Sequence, residues 1–261
     1  MSERHESFLQ VTDLQRDFGG LRAVADLSFS VAAGEIKAVI GPNGAGKTTL
    51  FNMIAGVTPP SAGRILLKGA RIDHLKPYRR VERGIARTFQ NLQIFKDLTV
   101  LENVMVGRHA RTRCDVLHAI LRTGAALREE AAIRDAAMAQ LDRLGLAHRA
   151  GDRAGALSFG ECKVLEIARA LAAEPELLLL DEPTAGLPHA ETERIADTIR
   201  ALNAEGVTVL LVEHNMRMVM RLCHSILVLN YGRKIAEGTA EAVRRDPAVL
   251  EAYLGEDDDD A

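Results

Sequence analysis

The chain has 261 residues, 47% of them hydrophobic and 26% charged, enough for a packed core in one large α/β domain or two small ones. Only 4% are aromatic and none is Trp, which argues against stacking bases on an aromatic platform. The formal net charge of −3 is more than accounted for by the acidic run Glu256–Asp260, so the body is near neutral and carries no basic footprint for nucleic acid.

Cys114, Cys162 and Cys223 are far apart and form no CxxC pair, so neither a disulfide framework nor a zinc site is expected, and a reducing cytoplasm fits. The opening MSERHESFLQ has no apolar core of the kind a signal peptide needs, and no run of 18 apolar residues is present to span a membrane. The basic pairs and triplets, Arg79-Arg80 and Arg111 to Arg113, are expected on the solvated surface. The acidic end, 256–261, is expected to be a disordered tail.

In chain order, 8–40 reads as strands. LSFSV alternates Leu27, Phe29 and Val31 toward one face, and IKAVI (36–40) is a short apolar run ending at Gly41, as for a buried parallel strand. A helix opens near Lys47 with Leu50, Phe51 and Ile54 on one face, and GRILLKG (63–69) is a further strand. Residues 98–150 are helical in pattern. The spacing of Leu127, Ala131, Arg134, Met138, Leu141 and Leu144 predicts a helix near 125–144. Beyond it come a helix running to Pro175, the buried strand LLLLDE, a helix over 190–204, the strands VTVLLVEH and SILVLN, and a hairpin through NYG into RKIAEG. Strands alternating with helices imply a mostly parallel core sheet covered by helices.

The stretch GPNGAGKT, from Gly41 to Thr48, matches G-x-x-x-x-G-K-[ST] between a predicted buried strand and a predicted helix. Bare backbone at the glycines lets N–H groups curl around phosphate oxygens, and the helix N-terminus adds partial positive charge. Gly41, Pro42, Asn43, Gly44, Ala45, Gly46, Lys47, Thr48 and Thr49 are therefore the candidate nucleotide-binding stretch. Lys47 is placed to reach the β- and γ-phosphates and the Thr48 hydroxyl to ligate Mg²⁺. At the end of LLLLDE, Asp181 is a candidate for the Mg²⁺ shell, and Glu182 can polarise a water for attack on the γ-phosphate. These features define a P-loop NTPase, a class that GTPases and kinases share.

The segment ALSFGECKVLEIARALAAEPELLLLDEPTAGL resembles the signature-to-Walker-B region of ATP-binding cassette (ABC) proteins, with Leu157, Ser158, Phe159, Gly160 and Glu161 where Leu-Ser-Gly-Gly-Gln is usual. The resemblance implies the α/β ABC ATPase fold, with a core over about 8–90 and 158–255 and a helical subdomain over about 91–157. It implies that Ser158, Gly160 and Glu161 face a nucleotide held by a partner subunit. It also makes Gln90 in RTFQ the Q-loop residue beside Mg²⁺, His214 in VEHNM the switch histidine, and AGLPH (185–189) the D-loop. Phe18 in DFGG resembles the aromatic that stacks on adenine, with a core phenylalanine as the open alternative.

The stretches FGGLRAV, ARTFQN, LTVLENV, VEHNMRMVM and AYLGE are similar to the LivG-type ATPase subunits of branched-chain amino acid importers. The resemblance then implies ATP and Mg²⁺ as ligands. It also implies permease subunits and a sister ATPase as partners, an indirect tie to a periplasmic binding protein, and a place on the cytoplasmic face of the membrane. ATPases of urea or amide import, of lipid or lipopolysaccharide export, or outside transport altogether are the alternatives. Two departures stand out. Glu161 in place of glutamine is expected to bring negative charge toward the nucleotide, and Pro188 in the D-loop removes an N–H and fixes φ.

Overall fold

The computed structural model describes residues 7–89, 92–108 and 124–254. Gln90, Cys114, Arg111 to Arg113 and the acidic tail lie outside the described residues.

The first strands form an antiparallel hairpin, β1 (Leu9–Phe18) and β2 (Leu21–Val31), closed at Phe18↔Leu21 by Gly19-Gly20. β4 (Ala62–Leu67) pairs with the other edge of β1, and β5 (Ala70–Arg71) with β4, giving a four-stranded antiparallel sheet. The second sheet has six strands among the described residues. In order they are β10 (Arg233–Gly238), β9 (Ser225–Asn230), β3 (Ile36–Ile40), β8 (Thr208–Val212), β7 (Leu177–Asp181) and β6 (Ile85–Arg87). All pairs in it are parallel except β9–β10.

Alternation along the strands explains why the parallel ones read as unbroken apolar runs. Val39, Leu177, Leu179, Leu210 and Val212 point into the core shared with the antiparallel sheet and with α1 (Lys47–Ala55). Their neighbours Ala38, Ile40, Leu178, Leu180, Val209 and Leu211 point into a second core. That core is built by α5 (Phe159–Leu171), α6 (His189–Ala204) and α7 (Met216–Leu222). Both faces of the sheet are covered, so nothing selects for polar residues on either. Between 92 and 157 the described residues hold helices and one isolated bridge, Thr99↔Arg153. There α3 (Val100–Arg108) and α4 (Gly124–Arg143) pack with α5 in a third apolar cluster through Val104, Ala137, Leu141, Leu165 and Ala168.

One sequence expectation is corrected here. The helix α4 forms where the spacing placed it; of the spaced residues Leu141 is buried, while Leu127, Ala131, Arg134 and Met138 face solvent, and Ala137, outside that spacing, shares the inner face. Arg80, expected on the surface, is 1% exposed. It lies in α2 (Pro77–Glu82) and donates to the carbonyls of Met53, Ile54, Leu75 and Asp73, closing the last turn of α1. Burial pulls its pKa down to about 10. Arg79 does lie in solvent, paired with Glu82 at 2.8 Å.

Candidate active site

The phosphate loop runs from the end of β3 into α1, and its glycines are required by geometry at two points. At Gly41 φ is 147°, and a Cβ would stand 2.0 Å from the Leu229 carbonyl oxygen. At Gly46 φ is 97°, and a Cβ would stand 2.5 Å from the Ala23 carbonyl oxygen. Only glycine lets the loop lie this close to β9 and β2. Lys47, the first residue of α1, is buried and donates through Nζ to the carbonyls of Gly41 and Pro42 at 2.6 and 2.7 Å. The cation is thus held inside the loop.

A cleft of about 480 Å³ opens on this loop, lined by Asn43, Gly44, Ala45, Gly46, Lys47, Thr48 and Thr49 together with Phe18, Glu182 and His214. Phe18 is 46% exposed with the Arg16 guanidinium 4.4 Å from its ring, so it is not a core residue. Tyr231, 84% exposed in the β9–β10 turn, lines the same cleft; the sequence reading did not select it.

At the end of β7, Asp181 is buried and its Oδ2 accepts from Arg87 Nη2 at 2.7 Å. Arg87 also donates to Asn52 Oδ1 of α1 at 2.6 Å, tying β6, α1 and β7 together. The other carboxylate oxygen, Oδ1, is buried and has no hydrogen-bond partner among the described residues. A buried anionic oxygen at this place fits a cation. Among the described residues no three His, Cys, Asp or Glu side chains cluster to hold a metal on their own. The donor set suits an ion that shares its coordination with phosphates and water, as Mg²⁺ does.

Glu182 follows directly, with φ 49°, its N–H on the Val212 carbonyl at 3.0 Å and its own carbonyl accepting from buried Lys163 Nζ at 3.2 Å. Its Oε1 lies 2.8 Å from His214 Nε2. Glu182 and His214 leave the ends of adjacent parallel strands, β7 and β8, which is what brings side chains 32 positions apart into contact.

The residues Ser158, Gly160 and Glu161 do not reach this cleft. They line a separate one, of about 420 Å³, with Glu191. Ser158 caps α5: its hydroxyl accepts from Glu161 N–H at 3.3 Å while Glu161 Oε2 accepts from Ser158 N–H at 2.8 Å. Glu161 Oε1 is paired with Arg149 Nη1 at 2.8 Å. The carboxylate thus turns back onto its own helix end and is paired with Arg149. The Ser158 N–H first, then the Ser158 hydroxyl and Arg149, hold its pKa below the ordinary carboxylate range against the opposing effect of burial. A Cβ on Gly160 would come within 2.2 Å of a Glu191 carboxylate oxygen, so the glycine lets the Glu191 side chain pack against the start of α5. Pro188 occupies the N-cap of α6 in extended conformation, where its missing N–H breaks no helical bond.

Arg87, Arg149, Lys163 and Glu213 were not selected from the sequence. Each makes its contact 12 or more positions away along the chain, and no local spacing marks it.

A glycine-rich loop on a helix N-terminus, a buried lysine and a carboxylate–histidine pair in one cleft, with a buried aspartate at the adjoining strand end, define a P-loop nucleotide hydrolase. The family described as ABC transporter matches residues 24–185, and that described as branched-chain amino acid ATP-binding cassette transporter matches residues 233–259. The chain is 40% identical over 252 residues to the high-affinity branched-chain amino acid transport ATP-binding protein LivG of Salmonella typhimurium, with 96% of this chain and 99% of that one covered.

Among solved structures, the ADP conformation of an ATP-binding cassette of an ABC transporter superposes with a TM-score of 0.84 at 34% identity, covering 95% of this chain and 99% of that one. A dimeric post-hydrolysis ATP-binding cassette bound to ADP and Pi gives 0.75 at 26% identity, covering 89% and 98%. The chain belongs to the ABC transporter family, and within it to the LivG-type ATP-binding proteins. It is an ABC transporter ATPase.

Proposed function

We propose that the chain is the ATP-hydrolysing subunit of an importer for branched-chain amino acids. The observation that carries the ATPase mechanism is the Glu182–His214 pair facing Lys47 across one cleft, with the signature residues in another. Lys47 and the N–H groups of the loop hold the phosphates. Glu182 orients and deprotonates the attacking water, and His214 holds the Glu182 carboxylate toward it. Thr48 and Asp181 Oδ1 would hold Mg²⁺, with Gln90 beside it, and the ion would neutralise charge on the β- and γ-oxygens. Phe18 offers its face to the adenine.

Because the signature and the phosphate loop line separate clefts, a complete site needs Ser158, Gly160 and Glu161 from a second ATPase subunit. The division into a core, about 8–90 and 158–255, and a helical subdomain, about 91–157, follows the change from sheet to helix clusters. Between the two lies a groove of about 440 Å³ bearing exposed Phe89 and Phe95. It suits an apolar helix of a permease, which would place the chain peripherally at the cytoplasmic face and give it only an indirect tie to a periplasmic binding protein. Among the described residues no helix is long and apolar enough to cross a membrane. The solute assignment is supported by the relative's name and by the family match over 233–259. Reconstitution with the cognate permeases and binding protein tests it. ATP-driven uptake of leucine, isoleucine or valine is expected, and uptake confined to another solute class would sink the assignment.

A further inference from the structure

Glu213, the residue that follows β8, is 3% exposed, and both its oxygens are taken by donors from two different loops. One oxygen accepts from the N–H and the hydroxyl of Thr184 at 2.8 and 2.6 Å. The other accepts from the N–H groups of His214 and Asn215 at 3.1 and 3.3 Å. Among the described residues no lysine or arginine pairs with it. It is a buried anion held by neutral donors alone, two from the loop after β7 and two from the loop after β8.

This arrangement is directional in a way apolar packing is not. A buried carboxylate is tolerated only while its donors stay in place. If either loop shifts, two donors and one carboxylate oxygen lose their partners together. The loop after β7 begins at Glu182, two residues before Thr184, and His214 directly follows Glu213. Asn215, which also accepts through Oδ1 from Met218 N–H at 3.1 Å, fixes the start of α7 in the same step. The carboxylate therefore sets the relative position of the loops whose side chains meet at 2.8 Å.

We infer that Glu213 is the positioning residue of the Glu182–His214 pair, acting on one through Thr184 and on the other through the peptide nitrogens of 214 and 215. The inference rests on the reading of Glu182 as the base. Glutamine at 213 keeps the shape but brings two N–H donors to a place where the protein supplies only donors, so one loop is displaced whichever way the amide turns.

The test compares full-length Glu213→Gln, Thr184→Val, Thr184→Ser, Glu182→Gln and the double variant Glu182→Gln/Glu213→Gln. Turnover in Glu213→Gln is expected to fall about tenfold to a hundredfold, the cost of misplacing a reacting group by about an ångström. ATP affinity by calorimetry should stay within about threefold, since the phosphate loop is untouched. Thr184→Val should follow in the same direction and Thr184→Ser should restore turnover. The double variant should turn over no more slowly than Glu182→Gln alone, because a residue that acts through Glu182 has nothing left to position.

Turnover in Glu213→Gln like the wild type, beside an inactive Glu182→Gln, overturns the inference alone. So do an equal loss of ATP affinity or losses that multiply in the double variant. Full turnover in Glu182→Gln overturns the base assignment and the inference with it. Should Glu213→Gln fail to fold, the Thr184 pair decides: turnover that is unchanged in Thr184→Val, or not restored in Thr184→Ser, overturns it.

Discussion

His214 Nε2 stands 2.8 Å from Glu182 Oε1, joining the ends of two neighbouring parallel strands above the phosphate loop. Glu182→Gln preserves the shape of that contact and removes the proton acceptor. Steady-state turnover is expected to fall by at least about a hundredfold, the scale of general-base catalysis. ATP binding should remain, so that nucleotide-bound dimer accumulates in size-exclusion chromatography. Turnover within a few-fold of the wild type would remove the base assignment.

Lys47 has its charge held inside the loop by two carbonyls, so its contribution is to nucleotide affinity before any chemistry begins. Lys47→Ala is expected to weaken ATP binding by at least about tenfold, the loss of a charge-assisted hydrogen bond to phosphate. Isothermal calorimetry with Mg²⁺ in excess measures this, and an unchanged dissociation constant would contradict the cradle.

The Arg87–Asp181 pair joins side chains that are 8% and 1% exposed at 2.7 Å. Arg87→Met would leave Asp181 as a buried, unpaired carboxylate, and is expected to cost about 3–5 kcal/mol in urea unfolding. Adding Asp181→Asn removes the stranded charge and should recover part of that loss. A double variant less stable than Arg87→Met would speak against the pairing.

Glu161 makes a pH prediction with a definite sign. Its folded-state pKa is lowered, chiefly by the Ser158 N–H, then by the Ser158 hydroxyl and Arg149, so the folded chain binds that proton less readily than the unfolded chain. The stabilisation is fully present above the unfolded carboxyl value of about 4.3 and is lost as pH falls through the lower folded value. The stability gap between wild type and Glu161→Gln should therefore be the same at pH 7 and 6 and narrower at pH 4. A gap that widens with acid would refute the sign. Since Arg149 already neutralises Glu161, Glu161→Gln should change ATP affinity less than Arg149→Ala, which leaves the charge uncompensated beside the helix end.

The fold and the phosphate loop were legible in the sequence because they are written locally. Gly41 to Thr48 sit between a short, mostly apolar strand and a period-3.6 helix, and the runs IKAVI at 36–40 and LLLL at 177–180 announce strands covered on both faces. What could not be read was carried by pairs distant along the chain. Arg80 looks like half of a surface basic pair, and only the docking of α2 on the end of α1 buries it. Glu161 looks like an intruding charge until Arg149 arrives from the preceding turn. The inner face of α4 was not legible because Ala137 is a small core contact, which hydrophobic spacing weighs less than the exposed Leu127 or Met138. The short β6 and α7 offer too few residues for any period to register.

Glu182 occupies the left-handed region at φ 49°, which a side chain with a Cβ enters at a cost of about 1 kcal/mol or more. The position we propose as the base is thus one at which the folded chain is less stable than it could be. On that assignment, drift toward glycine or asparagine would ease the backbone there and silence the enzyme, so thermal robustness and catalytic competence would oppose each other at a single codon. A screen for heat-resistant variants of this protein, run without a transport readout, would tend to enrich dead enzymes at 182.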